Sequence, residues 1–234
     1  MKKKTIFAIL LLALFCSTFA SAQSKSKSSK ITIIDFVNWF VADSEDEFTG
    51  AVNDAWQKYL KHKPLDENTT ITVDVKNGYM RYENNYPEDN YSSYLEICYW
   101  NCADGKHKLV AYNIACFEDG KPFEGQFDGI SFTLYDNATR VEEPISPEEI
   151  GLDIFFGIDA CVYGYDAEKD SYFWESRTGK VTYMTKEEWE EWHKNRPINT
   201  FTLPRAGKDI ILTTHRGTSK TSTTWTWDGK KFNH

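Results

Sequence analysis

Asp153 and Asp159 are the residues whose type and setting most suggest acid–base chemistry, because both lie in an apolar run from Leu152 to Ala160. A carboxyl group desolvated in such a run is pushed towards its neutral form and can act as a general acid. With a second carboxylate on the other side of a glycosidic bond it would make a hydrolase. These two are therefore the candidate acids of a glycan-directed enzyme. Acids are abundant, at 35 Asp and Glu in 234 residues, so their number does not single out a pair. Glu148 and Glu149 are already accounted for by helix capping after Ser146-Pro147.

Other chemistries find less. Cys98, Cys102, His107 and Cys116 have the ligand types of a zinc site but not its spacing, and they fall on both faces of the expected hairpin. There is no G-x-S-x-G elbow, no H-E-x-x-H and no phosphate-cradling glycine loop. Asp166-x-Glu168-x-Asp170 lacks the glycine and the closing Glu of an EF-hand loop. Glu190 and His193 have the spacing found in carboxylate-bridged metal bundles, but a single copy reads as a solvated helix face. Neither a metal nor a cofactor is expected.

Rings are the compositional outlier, with 8 Trp, 13 Tyr and 15 Phe making up 15% of the chain. They are densest in a hairpin from Cys161 to Glu175. A five-residue loop, Asp166 to Asp170, would pair Tyr165 with Ser171, Gly164 with Tyr172, Tyr163 with Phe173 and Val162 with Trp174. That register puts Tyr163, Tyr165 and Phe173 on one face, and Tyr172 and Trp174 on the other. A strand pair with two apolar faces is either sandwiched or exposes one face as a platform. Tyr163, Tyr165, Tyr172 and Trp174 are the candidate binding residues. The leading expectation is a non-catalytic binding or interaction protein whose ligand is a glycan, a peptide or an envelope protein, with the carboxylate-pair hydrolase as the alternative.

The elements that would carry these residues begin after an address label. Met1-Lys2-Lys3-Lys4, the apolar stretch Ile6 to Phe15 and Ala20-Ser21-Ala22 read as a cleavable signal peptide over residues 1–22, so the mature chain is expected to start at Gln23 in the periplasm or outside the cell. The apolar stretch is too short to span a bilayer, and no integral membrane span is expected further on. Removing Lys2, Lys3 and Lys4 reduces 27 basic residues to 24 against 35 acidic ones, and the net charge moves from −8 to −11. A chain this acidic repels polyanions, so nucleic acid is not expected as a partner.

Residues 23–30, QSKSKSSK, have nothing apolar to bury and read as a disordered linker to a single α+β domain over residues 31–234. Apolar residues from Ile31 to Val41, and again from Phe48 to Leu60 behind a Ser44/Glu47 capping box, predict two N-terminal helices. Two short inserted helices are expected, one after Ile145-Ser146-Pro147 and one over Thr185 to Arg196.

The remainder reads as an antiparallel hairpin and meander sheet. Asn77-Gly78 predicts a two-residue turn with Val75 opposite Met80 and Val73 opposite Tyr82, placing Ile71, Val73, Val75, Met80 and Tyr82 on the buried face. A hairpin across Asp104-Gly105 places Leu95, Ile97, Tyr99, Val110, Tyr112 and Ile114 on a core face. Glu96, Cys98, Trp100, Leu109, Ala111 and Asn113 occupy a mixed one. Cys98 and Cys102, roughly 13 Å apart along one strand, are too distant to bridge, which leaves at most one disulfide, from Cys161. Near the end, Asp228-Gly229 predicts a turn that sets Trp225 opposite Phe232. The run Leu203-Pro204-Arg205-Ala206-Gly207-Lys208-Asp209-Ile210, followed by Trp225-Thr226-Trp227-Asp228-Gly229-Lys230-Lys231-Phe232, resembles the closing hairpin of small secreted proteins of Gram-negative bacteria. The resemblance covers some thirty residues, implies an envelope or extracellular location and brings no activity with it.

Overall fold

In a computed structural model of the chain, the structure describes residues 30–42, 46–123 and 129–234, without the side chains of residues 160 and 161. The signal segment, the linker up to residue 29 and the Ser44 cap lie outside the described residues. Two compact units divide the rest. The larger comprises Ile31–Ile158 with Glu190–His234, and the smaller includes Asp159–Trp189.

In the larger unit, α1 (Ile33–Ala42) and α2 (Glu47–Leu60) precede a seven-stranded antiparallel sheet. Asp46 caps α2, its carboxylate accepting from Thr49 N at 2.8 Å and from Thr49 Oγ1 at 2.8 Å. The sheet runs in the order β1 (Thr69–Asp74), β2 (Tyr79–Tyr86), β3 (Tyr91–Asn101), β4 (His107–Glu118), β6 (Gly129–Asp136) and β7 (Glu142–Ile145), with β5 (Lys121–Phe123) paired to β4. A second sheet is formed by β11 (Ile198–Thr202), β12 (Asp209–Arg216), β13 (Ser219–Trp227) and β14 (Phe232–Asn233).

Both faces of the first sheet are buried, and alternation along its strands divides the core in two. Met80, Tyr82, Leu95, Ile97, Val110 and Tyr135 pack with Phe36, Val37, Val52 and Trp56 of the helices. Cys98, Trp100, Leu109, Ala111 and Phe132 pack with Phe201, Leu212, Trp225, Trp227 and Phe232 of the second sheet. The mixed face is thus the underside of another layer. One carboxylate sits within it: Glu96 is 1% exposed. It accepts from Tyr79 Oη at 2.8 Å, Arg81 Nη1 at 3.0 Å, Asn113 Nδ2 at 3.0 Å and Leu203 N at 2.9 Å. Four donors, one of them on the chain just after β11, offset the cost of burying that charge.

The expected α+β fold with two N-terminal and two inserted helices is corrected by this architecture. The described residues are mostly antiparallel β, with fourteen strands in three sheets and three α-helices. One inserted helix fails to form. Ser146 and Glu149 do make the reciprocal cap, with Ser146 N donating to Glu149 Oε2 at 2.9 Å. Gly151 then enters the left-handed region at φ +73°, and Ile150 O accepts from Phe232 N at 2.7 Å. A capped turn is only a nucleus, and burying Ile150 and Leu152 in the core diverts the chain before it propagates.

The hairpin across Asp104-Gly105 has the expected register, with Ile97 opposite Tyr112, whereas two others differ where aspartates close the loops through their side chains. Asp74 accepts from Asn77 N at 3.1 Å and Nδ2 at 2.9 Å, so the loop has four residues and Val73 faces Met80. Asp228 accepts from Lys230 N and Lys231 N, and Trp227, not Trp225, faces Phe232. In both hairpins the partner shifts by two residues, which keeps the strand side chains on their expected faces, but Val75, expected to be buried opposite Met80, falls in the enlarged loop and is exposed. Cys98 and Cys102 are free thiols, and Cys116 Sγ accepts from Tyr91 Oη at 3.4 Å.

Candidate functional site

The smaller unit is a three-stranded antiparallel sheet in the order β10 (Val181–Met184), β9 (Ser171–Ser176) and β8 (Ala160–Asp166). Asp166 ends β8 and accepts from Glu168 N at 3.1 Å and Lys169 N at 3.3 Å, an Asx turn that holds the loop to four residues. Its consequence is a register one residue away from expectation. Tyr165 faces Tyr172, Tyr163 faces Trp174, and Gly164 faces Phe173.

A slip of one residue exchanges faces along a strand. The expected division of the rings is therefore corrected: Tyr163, Tyr165, Tyr172 and Trp174 all lie on one face, with Phe173 on the other. Trp189 in the first turns of α3 (Lys186–Asn195) joins them. It stacks on Tyr172 at 5.0 Å and 16° and lies 5.8 Å from Tyr163. Tyr165 meets Tyr172 edge-on at 5.2 Å and remains 51% exposed. The capping box that starts α3 explains why Trp189 sits there, with Thr185 N donating to Glu188 Oε2 at 2.8 Å and Glu188 N to Thr185 Oγ1 at 3.2 Å.

An open cavity of about 590 Å³ lies against this face, lined by Tyr165, Tyr172, Met184, Asp170, Ser171 and the start of α3. Tyr165 Oη donates to Asp170 Oδ1, and this bond raises the phenol's pKa. Asp170 reaches it from a left-handed backbone, φ +50°, which Asp tolerates better than most residues. Ser171 Oγ donates to Met184 O at 2.9 Å and ties the cavity floor to β10. Of the four expected residues, Tyr165 and Tyr172 line the cavity, while Tyr163 and Trp174 are half-buried beside it. Sequence reasoning missed Asp170, placed in the hairpin loop, and Trp189, placed in the helix over Thr185 to Arg196, as parts of this site.

On the opposite face, Lys169 Nζ lies 3.8 Å from the centre of the Tyr183 ring and 3.9 Å from Asp166 Oδ2, and it donates to Tyr183 Oη. Tyr183 Oη donates in turn to Asp166 Oδ2 at 3.2 Å.

The two candidate acids belong to different units. Asp153 belongs to the larger unit and caps a turn, accepting from Phe155 N at 3.0 Å. Asp159 is exposed in the smaller unit, its carbonyl accepting from Arg177 N at 3.0 Å. Burial raises the pKa of Glu142 despite hydroxyl donors from Thr133 at 3.0 Å and Tyr112 at 3.2 Å. His107 lies between two carboxylates, with Nδ1 2.6 Å from Asp104 and Nε2 3.3 Å from Asp136. Among the described residues no group of three His, Cys, Asp or Glu side chains could hold a metal ion, and no helix is long and apolar enough to cross a membrane. No protein-family model matches the chain, and no curated protein or solved structure matches it significantly.

Proposed function

We propose that this chain is an exported, non-catalytic binding protein that takes a glycan on the ring face of β8, β9 and β10. The observation that carries the reading is the gathering of Tyr163, Tyr165, Tyr172 and Trp174 on one face beside an open cavity. Flat rings offer a pyranose its stacking surface, and a small number of polar groups, here Asp170 and Ser171, orient the hydroxyls. Export rests on the basic, apolar and small-residue order of residues 1–22.

Tryptophan fluorescence provides the test, since Trp174 and Trp189 flank the site. Titration with soluble polysaccharides should quench or shift the emission, and Tyr165→Ala should weaken binding by about tenfold or more, the scale of one lost ring contact. Trp174→Ala should weaken it less, because that ring lies outside the cavity wall. Peptide-only binding at the same face would replace the glycan. Turnover lost on Asp153→Asn or Asp159→Asn would establish the hydrolase instead. Expression with the native leader should give a secreted or periplasmic product whose N-terminal residue is Gln23.

A further inference from the structure

We infer that the glycan taken by the ring face is cationic, a polymer carrying free ammonium groups such as an oligomer of glucosamine. This rests on the glycan reading above and adds the ligand's charge. Asp170 supplies the first argument. Its Oδ1 holds the Tyr165 hydroxyl, and among the described residues Oδ2 takes no hydrogen bond, so a carboxylate oxygen is left at a cavity walled by two tyrosines. An ammonium group suits that combination, attracted by the ring faces and paired by the carboxylate.

The same small sheet already holds such an arrangement. Lys169 sits over Tyr183 with Asp166 beside it, so one ammonium, one tyrosine ring and one aspartate come together on the face opposite the cavity. Tyr165 and Asp170 repeat the tyrosine and the aspartate on the ring face. Charge beyond the site has the matching sign: residues 159–189 contain seven acidic and four basic side chains, net −3, within a chain of net −8. That field draws in cations and repels acidic sugars. Lys186, the first residue of α3, is the basic side chain on the cavity wall. Its removal should tighten binding of a cationic ligand, whereas a site for an acidic sugar would lose affinity.

The experiment compares tetramers of glucosamine and N-acetylglucosamine, identical in length and linkage, by tryptophan fluorescence in mildly acidic buffer where the free amines are protonated. The glucosamine tetramer should bind about tenfold more tightly, with the advantage shrinking as salt is added. Asp170→Asn should erase the advantage by weakening the glucosamine tetramer more than the acetylated one, Asp170→Glu should retain it, and Lys186→Ala should enlarge it. Equal affinity, a preference for the acetylated tetramer, or weaker glucosamine binding by Lys186→Ala would overturn the inference and leave the glycan reading standing. If neither tetramer nor any polysaccharide binds, the glycan reading falls and the inference with it. Circular dichroism of each variant separates lost binding from lost folding.

Discussion

At the scale of single residues, three ionisable groups show how surroundings decide what a charge does. Glu96 is buried with its four donors supplied, so Glu96→Ala would take away the acceptor of the buried Tyr79 hydroxyl and Leu203 N–H and one of the two carboxylates paired with Arg81, and urea unfolding should report a loss of roughly 3–5 kcal/mol. Glu142 is the converse case. Burial raises its pKa, so its ionised form costs stability once pH passes through the carboxylate range. Glu142→Gln should therefore raise Tm by a few degrees near neutral pH, and the gain should disappear in acid. For His107 the Asp104 hydrogen bond raises the pKa. Its contribution is complete below an unfolded value of about 6.5 and is lost as pH rises through the higher folded value. His107→Gln should accordingly flatten the decline in Tm from mildly acidic to mildly alkaline buffer.

At the scale of elements, aspartate side chains set the loops that set the registers. Asp74, Asp104, Asp136, Asp166 and Asp228 each accept loop N–H groups. Hydrogen bonds lower the pKa of four of them, with Asp104 down to about 2 through His107. Their stabilisation is present above an unfolded value of about 3.9 and is lost as pH falls through the lower folded values, so the hairpin ends should loosen together in strong acid, as amide exchange of their loops can show. Asp46→Ala should cost about 1 kcal/mol by unbinding Thr49 at the start of α2, measurable by chemical unfolding. A dipeptide such as Asn-Gly marks where a chain turns. It does not say whether a neighbouring carboxylate will enlarge or shorten the loop.

At the scale of the whole molecule, the larger unit is layered, with helices, a two-sided sheet and a second sheet, and its cysteines are buried hydrophobes more than cross-links. Cys98 and Cys102 should react in denaturant without prior reduction, while in the native chain Cys98 should react slowly because burial pushes its thiol pKa up. Much of this layering is legible in the sequence. Period-two alternation assigns Leu95, Ile97 and Val110 to one face and Trp100, Leu109 and Ala111 to the other, and the strand pairing follows the register expected from Asp104-Gly105. The ring hairpin is less forgiving. The sequence by itself determined that Tyr163, Tyr165, Tyr172 and Trp174 occur on paired strands, because composition and alternation are local. Tertiary structure decided that they share a face, because Asp166 shortens one loop by a residue, and it decided that Glu96 is buried, because a second sheet closes over a strand whose own pattern leaves that side open.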